Sequence, residues 1–399
     1  MHILMIAPEP FFEPRGTPFS EFHRIRALTD LGHTVDLATY PFGRDVSMPG
    51  LRVFRCARPP LVTRVKIGPS LAKLALDAAL AFTALRRALE GGFDVIHSHE
   101  EGAAIGVVLS WLFRRPHLYD MHSSLPQQLS NFSFSRSRVL KAIFRGLERL
   151  FIRQSRVVIV ICPQLADTVK MVDPAADPVL IENAPGSGDS PVAGEGARIR
   201  TEFGLNGSTP LVVYTGTFEA YQGLDLLFEA AARVNAERQD VRFLLAGGHP
   251  EQVAKARDLA RRAGVEAVTI FAGERPAEEI PLFLDAADVL VSPRSTGTNT
   301  PLKIYQYLRA GRPIVATRLL THTQVLDDTV SILTDPTPTG MAAGIVRALA
   351  DPAAARELGR RAHELAETKY SYEAYLGKTR LAMSRMGAAP APAVSGGAR

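Results

Sequence analysis

Short apolar runs alternate along this chain with longer segments whose apolar residues recur every three or four positions. "HILMIAP", "TVDLATY", "FDVIHSHE", "HLYDMHS" and "RVVIVIC" have the length and β-branched content of buried strands. Between them "FSEFHRIRALTDLGH", "SLAKLALDAALAFTALRRAL", "GAAIGVVLSWLF" and "PQLADTVKMV" carry the helical period. After "IENAPGSGDSPVAGEGA", a Gly-, Pro- and Ser-rich stretch at about 181–197, the alternation restarts. "PLVVYTG", "VRFLLAGG", "VTIFAGERP" and "DVLVSP" are the strands of this second half, each leading into a helix. Strand–helix alternation of this kind predicts parallel sheets covered on both faces. The expected class is α/β, with two Rossmann-like doubly wound domains facing across a cleft. Their expected bounds are residues 1–185 and 198–370, with a helix over 371–386 that crosses back to the first domain and a disordered tail over 387–399.

In open parallel sheets ligands bind beyond the carboxyl ends of the strands. "TGTFEAYQG", "GGHPE", "GERP" and "PRSTGTNTP" all fall at such ends. The last leads into "PLKIYQYLRAG", where Thr300 fits the N-cap, Pro301 the first helical position and Gly311 the end. Lys303 then sits in the first turn, where a cation opposes the helix dipole at a cost of about 0.3–1 kcal/mol. A bound anion would offset it. The N–H groups from Asn299 through Thr300 and Leu302 to Lys303 could cradle a phosphate, with Arg294 on the same loop.

Composition narrows the picture. The 399 residues are 46% hydrophobic, enough for two cores, and the net charge of +5 suits anionic ligands or membrane surfaces without indicating nucleic acid. Two cysteines, Cys56 and Cys162, imply no disulfide framework. No run approaches the roughly eighteen apolar residues of a membrane span, and the N-terminus lacks the pattern of a signal peptide. The expectation is a cytoplasmic protein with peripheral attachment to the inner face of the membrane. That attachment is suggested by "SRSRVLKAIFRGLERLFIRQSR", in which seven basic residues from Arg136 to Arg156 face one acid, Glu148.

"YTGTFEAYQGLDLLFEAA", "AGERPAEEIPLFLDAADVLVSPRS" and "PLKIYQYLRAGRPIVAT" resemble the C-terminal domain of glycosyltransferase family 4. "PRGTPFSEFHRIRALTDLGHTVDLATY", "FDVIHSHE" and "HLYDMHSS" resemble its N-terminal domain, so the likeness runs from the first strand to about Tyr375. The resemblance implies a GT-B enzyme that takes a sugar from a nucleotide-diphosphate donor of UDP or GDP type, with retention and without a metal or cofactor. It implies a glycan or lipid-linked acceptor in polysaccharide or glycoconjugate synthesis. By that resemblance Gly16, Gly216, Thr217, Gln222, Gly273, Arg275, Arg294, Thr298 and Gln306 join the Lys303 turn at the donor. His122 would approach the reacting sugar; Arg15, Thr17, His99 and Glu100 would face the acceptor. His97 and His99 form a His-x-His pair that, with acids, can also bind metal.

The departures are specific. The family's two glutamates fall at Thr298 and Gln306, and its diphosphate-binding arginine and lysine at Thr217 and Gln222. Four charges are therefore missing, and Arg294 with Lys303 are the candidates to replace the basic pair. A GT-B binding protein without catalysis and a sugar-nucleotide epimerase remain alternatives at this stage.

Overall fold

The computed structural model describes residues 1–12, 16–60, 62–63, 71–126, 138–182 and 194–387. The chain divides into two units: Met1–Glu182 together with Tyr375–Arg399, and Asn183–Ala374.

In the first unit the strands are β1 His2–Ala7, β2 Thr34–Thr39, β3 Leu51–Arg55, β4 Val95–His99, β5 His117–Met121, β6 Val157–Val160 and β7 Val179–Leu180. The helices are α1 Gly16–Asp30, α2 Leu71–Glu90, α3 Ala103–Phe113, α4 Arg138–Gln154 and α5 Pro163–Val172. All pairings are parallel, in the order β3-β2-β1-β4-β5-β6-β7. The connection from β1 to β2 runs one way across the sheet, whereas those from β3 through β7 run the other way. Right-handed crossovers therefore put α1 on one face and α2, α3, α4 and α5 on the other. Leu109 of α3 packs with Leu76 and Leu80 of α2, and Val107 with Phe151 of α4, so the three helices lie side by side.

The second unit repeats the plan. Its helices α6 Gly196–Glu202, α7 Leu224–Glu237, α8 Pro250–Arg262, α9 Ile280–Ala286, α10 Leu302–Ala310, α11 Leu320–Thr323, α12 Pro338–Ala350 and α13 Pro352–Lys369 accompany six strands. These are β8 Leu211–Thr215, β9 Arg242–Ala246, β10 Thr269–Gly273, β11 Val289–Ser292, β12 Ile314–Thr317 and β13 Ile332–Thr334. The parallel order β10-β9-β8-β11-β12-β13 reverses at β8/β11, which makes that pair the topological switch point. β8 and β11 are buried along their whole length, as continuous apolar strands between two helical layers should be.

The last helix, α14 Tyr372–Gly387, packs into the first unit. Lys378 pairs with Glu182, Arg385 with Asp177, and Arg24 donates to Thr379 at 3.3 Å. Most of the stretch read as a linker, and the tail beyond Gly387, lie outside the described residues; Gly196 and Ala197 of that stretch open α6. Among the described residues no helix is long and apolar enough to cross a membrane.

Candidate active site

The switch point of the second unit gathers most of the residues expected at the donor. β8 ends at Thr215 and the chain turns at Gly216, whose φ of +134° favours glycine. The turn is tight because a backbone already fills the space beside it: a Cβ on Gly247, at the end of β9, would lie 1.9 Å from the Gly216 carbonyl oxygen. Gly247 N–H in turn donates to the Gly273 carbonyl at 2.7 Å, so three strand ends interlock backbone to backbone.

Lys303 points at this turn. A Cβ on Gly216 would sit 3.0 Å from its Nζ. The ammonium lies 3.7 Å from the centre of the Tyr214 ring, and Lys303 is 7% exposed with no hydrogen-bond partner for Nζ among the described residues. Burial first, and then the nearby Arg294 charge, push its pKa well below the usual lysine value. Arg294 is half anchored. Its Nη1 donates to the Asn299 carbonyl and to Thr321 Oγ1, both at 2.8 Å, and the guanidinium lies over Tyr221 at 4.9 Å. Its Nε is buried without an acceptor among the described residues. Thr300 Oγ1 and Gln222 Oε1 are also buried with no partner among the described residues, while Gln222 Nε2 donates to Thr217 Oγ1 at 3.3 Å. Two cationic donors without acceptors therefore meet neutral hydroxyl and amide groups at the amino end of α10. The arrangement fits an anion with hydroxyls attached.

Two details differ from the sequence expectation. Thr300 does not cap α10: Pro301 is the N-cap, with an extended ψ of 137°, and the helix begins at Leu302. The Thr300 hydroxyl is buried instead, and Lys303 stays in the first turn. Arg275 is engaged elsewhere: it pairs with Glu202 and Glu279, and its guanidinium lies over Phe203 and Phe283. Gln306 is half-buried in the second turn of α10, and Thr298 is half-buried on the loop, its carbonyl accepting from Gln324 Nε2 at 2.6 Å. Tyr214, Tyr221 and Thr321 were not anticipated. Aromatic and hydroxyl side chains at strand ends are common, and only the position of the two cations gives these three their meaning.

In the first unit the carboxyl ends of β4 and β5 hold a buried polar cluster. His99 pairs with Asp120 across the two strands, and His97 and His99 stack with ring centres 4.8 Å apart. Asp120 accepts from Arg24 Nε at 2.8 Å, and His122 Nε2 lies 3.2 Å from its other oxygen. Burial alone would raise the Asp120 pKa, but Arg24 and the histidines hold it well below the usual carboxylate range. Burial pushes His99 well below its ordinary value and Glu21, beside Glu9 and Asp120, well above its own.

His99, expected to face the acceptor, is fully buried together with His97, because β4 is an inner strand between β1 and β5. Glu100 takes a left-handed φ of +47° and accepts from Ser123 Oγ, and burial followed by Glu101 raises its pKa. Gly16 opens α1, whereas Arg15 and the Thr17 side chain lie outside the described residues. Among the described residues His97, His99 and Asp120 bring potential metal ligands within 4.8 Å of one another. The Asp120 carboxylate of that group is already paired with the Arg24 guanidinium at 2.8 Å.

Comparison with known proteins agrees with this plan in both halves. The family model described as "Glycosyl transferase 4-like domain" matches residues 23–184, and "Glycosyl transferases group 1" matches residues 209–351. D-inositol 3-phosphate glycosyltransferase of Acidothermus cellulolyticus is 26% identical over 84% of this chain and 78% of its own length. Alpha-D-kanosaminyltransferase of Streptomyces kanamyceticus is 26% identical over 70% and 74%. Among solved structures, sucrose-phosphate synthase from Thermosynechococcus elongatus superposes with a TM-score of 0.78 at 21% identity, over 96% of this chain and 98% of its own. Anabaena HepE, in complex with UDP and glucose, gives 0.73 at 18%, over 96% and 99%. With transferase models matching both halves and GT-B structures matching nearly its whole length, the chain belongs to the family-4-like glycosyltransferases of the GT-B fold.

Proposed function

We propose that the protein transfers a sugar from a nucleotide-diphosphate donor, of UDP or GDP type, to a glycan or lipid-linked acceptor, with retention at the anomeric carbon. The observation that carries this reading is the pair of unsatisfied cationic donors, Lys303 Nζ and Arg294 Nε, beside the amino end of α10. They occupy the place where a diphosphate would repay their burial. UDP in the related HepE structure supports the donor class.

In the reaction the bond from the anomeric carbon to the terminal phosphate oxygen breaks, and negative charge grows on the leaving diphosphate. Lys303, Arg294 and the first N–H groups of α10 are already oriented toward that charge, so its stabilisation needs no reorganisation. The acceptor oxygen bonds to the same face of the sugar, and its proton passes to the departing phosphate. Neutralisation by two fixed side chains takes the role a divalent cation has elsewhere. Gln306 and Thr217 supply uncharged hydrogen bonds to hydroxyls where the family has charged groups. His122 is assigned a hydrogen bond to a substrate hydroxyl, with its ring oriented by Asp120.

Incubating the wild type and Lys303→Ala with a panel of UDP- and GDP-sugars tests the assignment. Transfer, or slow release of free sugar, that falls at least a hundredfold in the variant is the expected outcome. Conversion of the donor to its epimer would make the protein an isomerase. Binding with neither reaction would make it a sugar-nucleotide-binding protein.

A further inference from the structure

Large apolar side chains that face solvent are concentrated on one part of the protein. Fifteen are exposed among the described residues, and ten of them lie on α2, α3 and α4. Leu74, Phe82 and Leu89 project from α2; Val108, Trp111 and Leu112 from α3; the other four lie between Val139 and Leu150 on α4. None of them is needed by the core. α2 packs inward through Leu76, Leu80 and Ala84, and α3 through Val107 and Leu109. The outward rows are therefore a second apolar face on helices that already have one, where a surface helix ordinarily carries polar residues. α3 has no charged residue at all from Ala103 to Phe113.

The charges around this face are mainly basic. Arg114 and Arg115 follow α3, and Arg138, Arg145, Arg149 and Arg153 are exposed along α4. The one acid of α4, Glu148, is buried and accepts the Leu125 N–H at 2.8 Å. Glu90, at the end of α2, is paired with Arg87. Three adjacent helices thus present tryptophan, phenylalanine and leucine among arginines. A second copy of the chain, meeting this face by two-fold symmetry, would set the arginines of α4 against themselves.

We propose that the outer face of α2, α3 and α4 docks on an anionic lipid bilayer. The apolar side chains enter the boundary of the acyl chains, and the arginines meet lipid phosphates. The inference stands on the exposed face alone and does not depend on the reaction the protein catalyses.

Trp111 is the one tryptophan in the sequence and is 54% exposed, so its fluorescence reports this face alone. The full chain is titrated with vesicles of phosphatidylcholine, with and without phosphatidylglycerol, and binding is read by flotation and by tryptophan emission. The expected result is flotation with the anionic vesicles, a blue shift of the emission, and quenching by lipids brominated on the acyl chain. Phe82→Ser with Leu112→Ser, both exposed and outside the core, should weaken vesicle binding at least tenfold with no loss of melting temperature. Arg145→Glu with Arg149→Glu should do the same. Absence of flotation, equal flotation with neutral vesicles, or flotation with unshifted and unquenched emission would each overturn the proposal. A blue shift that grows with protein concentration in the absence of vesicles would assign the face to self-association instead.

Discussion

A lysine in the first turn of a helix, buried against a tyrosine ring, is a standing cost to the ligand-free protein. The unfolded chain holds a proton on Lys303 at neutral pH that the folded protein binds less readily. Stability contributed by this group therefore rises with pH, from its depressed folded value up to the ordinary lysine range near 10.4. Lys303→Met keeps the volume and removes the charge. It is expected to raise the melting temperature at pH 7 by about 2–4 °C, or roughly 1 kcal/mol, and the gain should shrink as pH approaches 10. Scanning calorimetry across that range checks both parts. A group kept at a cost to stability is more readily explained by binding than by folding. His122 offers a second test at this scale. His122→Ala should lower turnover about a hundredfold, the usual contribution of a positioned polar group at the reacting centre. Its melting temperature should stay within 2–3 °C of wild type; a variant that simply unfolds would mark the ring as structural.

Among the elements, α10 was the most legible in the sequence. Its C-terminus at Gly311 takes the left-handed conformation expected there, and the oddness of Lys303 is visible from the helix dipole alone. Its N-terminus was off by one residue because Pro301 has an extended ψ, so Thr300 lies outside the capping position. The strand alternation was readable because buried parallel strands are continuous apolar runs. β3 was missed because it is only partly buried, with arginine at two of its five positions, and β7 and β13 because they have two and three residues. α1 hid its meaning most completely: nothing in the sequence singles out Arg24 and Glu21, yet both are buried against β4 and β5. Only tertiary structure brings Arg24 to Asp120. The turn after β8 allows a prediction at this level. Gly216→Ala would impose a positive φ on a residue with a Cβ, costing about 1–3 kcal/mol, and would press on Lys303 Nζ at 3.0 Å and Cε at 3.2 Å. Nucleoside diphosphate affinity should fall at least tenfold, measured by equilibrium titration on protein shown to be folded.

On the scale of the molecule, the chain leaves its first unit at Glu182 and returns to it at Tyr375, so the last helix completes a unit that the chain left almost two hundred residues earlier. Tyr375, Ala382, Met383 and Met386 are buried there, and the Arg24 guanidinium lies 5.0 Å from the Tyr375 ring centre. Losing several such side chains at about 1.5–3 kcal/mol each approaches the whole stability of a domain. Truncation after Ser371 should therefore lower the melting transition of the first unit by 10 °C or more and leave that of the second near its original temperature. Calorimetry that shows one shared transition moving as a block would contradict that division. The second unit carries the proposed donor site, and the claim on which the account rests is that an anionic diphosphate satisfies Lys303. Calorimetric titration of the full-length protein, wild type and Lys303→Met, with UDP, GDP and the corresponding nucleosides tests it most directly. The account predicts a hundredfold or greater loss of nucleoside diphosphate affinity in the variant with nucleoside affinity unchanged; equal loss of both, or no loss of either, would contradict it.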